Sequence, residues 1–300
     1  MKKSKTLFLF LSLIILLSSC SLDPREDNGG NADSWNTGTI GLVMNFVADH
    51  PRSIIRGKNL DVVIEYQNEG AYDIDNLIFY LHGYDSTILY GTPLKTFNAE
   101  PLKGKSQLNP QGSQSQFADF GETTINSPKG DSAYQQPLFV TACYNYKAIA
   151  EPSICINMDE SDYKTVTSGG CEHGSVTGLT KSQGAPIIVS AVNSYVEDDV
   201  VAMDITIQNK GSGTPFTSTL NRCDRLSVED SDTVRVKVSM NDGEFKCESS
   251  NGKIYLDDSG TGIVHCERTI SREGYFVTPL KIEVDYNYEQ TLKKTITIER

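Results

Sequence analysis

"PLFVTACYNYKAIAEPSICI" (residues 137–156) and "PLKIEVDYNYEQTLKKTITI" (residues 279–298) align without a gap at an offset of 142. Both read P-L-x-[VI]-x-x-x-Y-N-Y and close on I-x-I. In the second copy Leu280, Ile282, Val284, Tyr286 and Tyr288 alternate with Lys281, Glu283, Asp285 and Asn287, the period of a half-buried strand. Upstream, "VIEYQNEG" (63–70) matches "ITIQNKG" (205–211), which sets Gln67-Asn68 on Gln208-Asn209 and Gly70 on Gly211. Two copies in the same order and nearly the same spacing predict a duplicated β domain, at 39–160 and 184–300, with the small and polar residues 161–183 as a linker.

The rest of the chain agrees with an all-β reading. Leu42, Met44 and Phe46 alternate, and Val62 to Tyr66 and Leu77 to Leu81 are short apolar runs separated by the turn-forming Asn68-Glu69-Gly70. Outside the N-terminus, no segment repeats apolar residues at i, i+3, i+4 and i+7 over a helical length. Residues 91–133 are rich in Gly, Pro, Ser, Gln and Asn, a long loop with one strand expected near Phe117 to Thr124.

The N-terminus places a basic start (Lys2, Lys3, Lys5) before an apolar run from Thr6 to Leu17, the order of a secretory signal. The run is short for a membrane-spanning helix, which needs about 20 residues. Its closing Leu17-Ser18-Ser19-Cys20 resembles the lipobox of prokaryotic lipoproteins. That resemblance implies removal of residues 1–19 and a lipidated Cys20 as the first mature residue, with 20–38 a polar tether. The whole chain carries a formal charge of -12, and loss of three lysines with the signal makes it -15. So acidic a chain, with no basic run bearing interleaved aromatics, argues against nucleic acid as a partner.

With Cys20 assigned to lipid, Cys143, Cys155, Cys171, Cys223, Cys247 and Cys266 remain. An even number in an exported chain reads as three disulfides. Cys171-Glu172-His173 and His265-Cys266 lack the C-x-x-C spacing of a structural zinc site, and no metal is expected there. Transferred by 142 positions, Cys143 falls on Asp285 and Cys155 on Thr297, so both point to the outer face. A five-residue hairpin loop over 147–151 would then set Cys143 opposite Cys155, a staple worth at most about 3 kcal/mol. The other four allow three connectivities, of which Cys247–Cys266 with Cys171–Cys223 is preferred.

Candidate chemistry is sparse. Neither "HGYDS" (82–86) nor "EHGS" (172–175) has a third catalytic partner in sequence, so each reads as a turn, and no catalytic residue or cofactor is assigned. Glu197-Asp198-Asp199, Glu229-Asp230-Ser231-Asp232 and Asp257-Asp258 are acidic but lack the spacing of a calcium loop. Tyr80, Tyr84 and Tyr90 could equally line a binding face or complete a core edge.

Short strands with N-x-G turns, duplicated behind a lipobox, resemble the immunoglobulin-like sandwiches of prokaryotic surface proteins, including the cell-adhesion-related CARDB type. "GLVMNF", "NEGAYDI", "LHGYD", "ACYNY" and "QGAP" are similar to a group of uncharacterised archaeal tandem β-sandwich lipoproteins. The resemblance implies two tandem immunoglobulin-like β-sandwiches and a lipid-anchored location on the cell membrane or surface. It brings no activity with it. The function expected is a cell-envelope binding or structural module for a protein or glycan partner. A solute-binding accessory lipoprotein and a divergent enzyme are the alternatives.

Overall fold

The computed structural model describes residues 34–90, 97–126, 133–158, 174–180, 182–240, 243–250, 252–271 and 274–299. The signal, Cys20 and most of the tether lie outside them, as do Cys171, Glu172 and His173. The first repeat contributes β1 (Leu42–Phe46), β2 (Ser53–Ile55), β3 (Asn59–Asn68), β4 (Leu77–His82), β5 (Leu89–Tyr90), β6 (Phe97–Asn98), β7 (Gln116–Ile125), β8 (Tyr134–Ala150) and β9 (Ser153–Asn157), and the segment between the repeats contributes β10 (Val176–Thr177). The second contributes β11 (Ile187–Glu197), β12 (Val200–Asn209), β13 (Thr214–Phe216), β14 (Thr233–Met240), β15 (Gly243–Glu244), β16 (Lys246–Cys247), β17 (Ile254–Tyr255), β18 (Thr261–Thr269), β19 (Tyr275–Pro279) and β20 (Lys281–Glu299). The protein is all-β, its strands arranged in several sheets.

Strand order repeats with the sequence. A four-stranded sheet β1-β3-β7-β5 in the first half has its counterpart β11-β12-β18-β16 in the second. In both, alternation selects the inner face. In β3, for example, Leu60, Val62, Ile64 and Tyr66 are buried, while Asp61 is exposed and Glu65 half-buried. The opposing layer is shared, because β15-β14-β20-β8-β4-β6 form one continuous sheet. At its centre β8 and β20 pair antiparallel from Ile282↔Ala150 to Ile298↔Tyr134. One hydrophobic core runs through both halves, and Trp35–Arg300 form one compact unit. The two repeats thus share a sheet and a core within the unit Trp35–Arg300, and most of the expected linker at 161–183 lies outside the described residues.

The repeat offset explains the symmetry. Asn145 pairs with Asn287, and these two residues are also equivalent in the repeat, since 287 − 145 = 142. A pseudo-twofold axis thus passes through the Y-N-Y motifs. Tyr144, Tyr146, Tyr286 and Tyr288 turn inward and pack edge-on or tilted, with ring centroids 5.8–6.3 Å apart. Their hydroxyls accept hydrogen bonds from equivalent backbone groups. Tyr144 accepts from Leu42 N–H and Tyr286 from Ile187 N–H, each at 3.4 Å. Tyr146 accepts from Tyr72 N–H at 3.3 Å and Tyr288 from Gly213 N–H at 2.9 Å. The N-x-G turns are built alike, with Asn68 Oδ1 accepting from Gly70 N–H and Asn209 Oδ1 from Gly211 N–H. Any side chain on Gly70 would collide with the Tyr146 hydroxyl, and any on Gly211 with that of Tyr288, which is why both turns carry glycine. Burial pushes the hydroxyl pKa of Tyr288 up to about 12 and holds the other three well above the ordinary value.

The cysteine plan needs correction. Cys143 is bonded to Cys223, with Cα atoms 6.3 Å apart, and not to Cys155. No 147–151 hairpin exists, because β8 runs straight to Ala150 with β20 along one edge and β4 along the other. At Cys143 both edges are taken, by Glu289 of β20 and Ile78 of β4, so no returning strand can pair there. Pro152 follows the end of β8, and β9 departs to pair with β10 and β19. Alternation does place Cys143 on the outer side of the shared sheet, yet it is fully buried there. Phe216 of β13 and Cys223 of the 3-10 turn Leu220–Arg225, both from the second repeat, cover it, with Tyr80, Leu220 and Leu226 around them. Since Cys223 is taken, the Cys171–Cys223 pairing is also overturned. Cys247 and Cys266, the preferred pair, face each other across β16 and β18 and are bonded, Cα to Cα 3.9 Å. Cys155 is disulfide-bonded as well. Disulfides persist in oxidising compartments, so these bridges mark an extracytoplasmic protein.

Candidate functional site on the open face of the second repeat

Each four-stranded sheet buries one face and leaves the other open. Equivalent outward positions can be compared directly between the halves, because β3 maps onto β12 with Asn68 on Asn209. Phe117, opposite Glu65, corresponds to Ile263, opposite Thr206, and both are exposed, at 58% and 67%. One step along the strands the halves differ. The first has Val63 opposite Asp119, and the second has Asp204 opposite His265.

In the second repeat this row is joined by Tyr195 on β11. His265 Nδ1 lies 2.9 Å from Asp204 Oδ1 and 3.1 Å from the Tyr195 hydroxyl. The Tyr195 and His265 rings stack with centroids 6.0 Å apart. Register places the remaining neighbours. Glu197 is two residues along the same face of β11, Glu267 stands across Ala202 from Tyr195, and Glu248 donates its N–H to the His265 carbonyl. Partial desolvation, then the charges of Asp204, Glu197, Glu248 and Glu267, raise the Tyr195 hydroxyl pKa. Lys246, opposite Glu267, is the cation paired across this face by register. Chemically the arrangement is an aromatic platform, held in orientation by a histidine–carboxylate pair and ringed by negative charge.

The residues singled out from the sequence are dispersed. Tyr80 packs on the Cys143–Cys223 cluster, Tyr84 against the main core, and Tyr90 is exposed on β5, so they form no common face. His82 bonds through Nε2 to the buried Thr141 hydroxyl at 2.8 Å, while Asp85 Oδ1 holds the Thr87 N–H and hydroxyl in a turn. Asp198 occupies the β11–β12 hairpin at positive φ. Asp257 accepts from Ser259 N–H, Ser259 Oγ and Thr261 N–H, which lower its pKa. Asp230 forms an ion pair with Lys253. Among the described residues no three His, Cys, Asp or Glu side chains converge as a metal site. A cleft of about 240 Å³ lies along β14, lined by Arg235, Lys237, Glu244, Phe245 and Ile254 among others. By register Arg235 and Lys237 stand opposite Asp285 and Glu283, and Arg235 donates to the Thr217 carbonyl.

No motif announces the Tyr195–Asp204–His265 cluster, in which His265 lies 61 residues from Asp204 and 70 from Tyr195. The signal available was the difference between copies, Asp204 standing where the first copy has Val63.

The chain matches no protein-family model and no curated protein. Among solved structures, red sea bream transglutaminase aligns at 11% identity and TM-score 0.22, over 88% of this chain and 32% of that one. Escherichia coli alpha-2-macroglobulin activated by porcine elastase aligns at 9% and 0.20, over 86% and 32%. A DUF4466 family protein from Parabacteroides merdae aligns at 8% and 0.13, over 77% and 99%. The chain thus spans about a third of the length of the first two. Likenesses of this size carry no activity to it.

Proposed function

We propose that the protein is a lipid-anchored module of the cell envelope, tethered through Cys20, which presents its paired β-sandwich surface to a protein partner and performs no catalysis of its own. One observation carries the reading. The two halves are fused by a shared sheet and a disulfide into one body, while the outer face of each four-stranded sheet stays open with an apolar side chain at the same position, Phe117 or Ile263. A rigid, open sheet face with an exposed apolar side chain gives a partner surface to bury. The lipobox-like Leu17-Ser18-Ser19-Cys20 and the disulfides support placement outside the cytoplasm. Glycan binding is the second reading, favoured by the stacked Tyr195–His265 pair.

Membrane fractionation tests the anchor. Wild-type protein should sediment with membranes and Cys20→Ala should move to the soluble fraction. Retention of Cys20→Ala in the membrane would overturn the lipid anchor.

A further inference from the structure

We infer that the open face of β11-β12-β18-β16 docks a cationic segment of a protein partner, with a lysine or arginine side chain seated over Tyr195 and framed by Asp204, Glu197, Glu248 and Glu267. This deepens the binding-module reading and rests on it.

Three observations converge. The site is specific to one half, for Val63 and Asp119 occupy the places of Asp204 and His265 in the other, so the cluster is not a requirement of the fold. Its aromatic ring is both exposed and fixed. Tyr195 is 41% exposed, stacks on His265 and is hydrogen-bonded to it, so it presents a ring that loses little freedom on binding. Its charge is one-sided, four carboxylates against Lys246, on a chain of formal charge -12. A ring face surrounded by anions is complementary to an ammonium or guanidinium group, through the ring quadrupole and through Coulomb attraction. Exposed Ile263, one step along the same face of β18, offers the apolar contact that a lysine or arginine stem needs. A neutral glycan would use the ring but gain nothing from the net charge.

The test uses the full chain in detergent, disulfides intact, titrated with a synthetic lysine- and arginine-rich peptide. Binding is followed through His265 and Ile263 resonances, which every variant retains. Tyr195→Ala should weaken binding about two- to five-fold and Tyr195→Phe should retain it, as expected for a ring–cation contact at an exposed site. Asp204→Asn should weaken it comparably. Asp119→Asn, which removes the carboxylate of the Val63–Asp119 pair that stands in the first half where Asp204–His265 stands in the second, should have no effect. Equal weakening by Asp119→Asn would mean that the peptide senses only bulk charge, and unchanged binding in Tyr195→Ala would remove the ring; either overturns the inference. Saturation by a neutral oligosaccharide at the same resonances, with none by the peptide, would replace the cationic segment by a glycan and still leave the binding-module reading standing. Loss of membrane retention or of any partner would strike that broader reading instead.

Discussion

Replacing Cys223 by alanine should destabilise the first repeat as much as the second, although Cys223 belongs to the second by sequence. The Cys143–Cys223 bridge closes a loop with a sequence separation of 80. Chain-entropy bookkeeping for such a loop gives at most about 4.5 kcal/mol at 25 °C. A Cys143–Cys155 staple, closing a loop of 12 residues (155 − 143), would give only about 2.8 kcal/mol. Urea unfolding of Cys143→Ala, Cys223→Ala and the double variant, without reductant, distinguishes the two plans. If the bridge is as described, each single variant loses the same large increment and the double loses little more, because the second substitution removes a thiol that is already unpaired. Cys223→Ala should also leave the Cys143 thiol, fully buried in the native state, open to alkylation only on unfolding. Stability of Cys223→Ala within about 0.5 kcal/mol of the parent, or full additivity in the double variant, would refute the reasoning.

Other outcomes follow from the same core. Tyr146→Phe and Tyr288→Phe leave the N–H groups of Tyr72 and Gly213 without their acceptor, so each should cost about 1–3 kcal/mol in unfolding free energy, to a similar extent in the two halves. His50 is buried, and burial, with Lys294 adding to it, lowers its pKa from 6.5 to about 4. The folded chain therefore holds a neutral imidazole that the unfolded chain would protonate. Its contribution is complete above pH 6.5 and is lost as pH falls toward 4, up to about 3 kcal/mol, and His50→Phe should flatten that part of a stability–pH curve. Cys155 is bonded, and its backbone exchanges hydrogen bonds with Gly174 and Ser175. Non-reducing peptide mapping should find it joined to Cys171, three residues before Gly174; a Cys155–Cys143 peptide would contradict this.

Much of the fold was legible. Period-two alternation in Leu280 to Tyr288 gave the strand and its inner face, and the repeat gave the equivalence of Tyr144 and Tyr146 with Tyr286 and Tyr288. Equivalence does not reveal contact, however. Nothing in either copy says that β8 and β20 pair with each other, since a strand edge carries no side-chain pattern of its own. The same limit explains Cys143. Parity placed it correctly on the outer side of the sheet, but burial there comes from residues 216–226 of the other repeat, which local periodicity cannot report. The Tyr195–Asp204–His265 cluster was hidden because three strands assemble it by register. Only the substitution of Asp204 for the Val63 of the first copy betrays it.

Site-specific photo-crosslinking in native membranes tests the functional account most directly. A photoreactive residue at Ile263, exposed beside the cluster, should capture one defined protein with a basic surface, and capture should fall when Tyr195→Ala is added. The same probe at Phe117 reports on the other half. A wild-type protein found in the soluble fraction, or an Ile263 probe that captures no protein in intact membranes, would contradict the account.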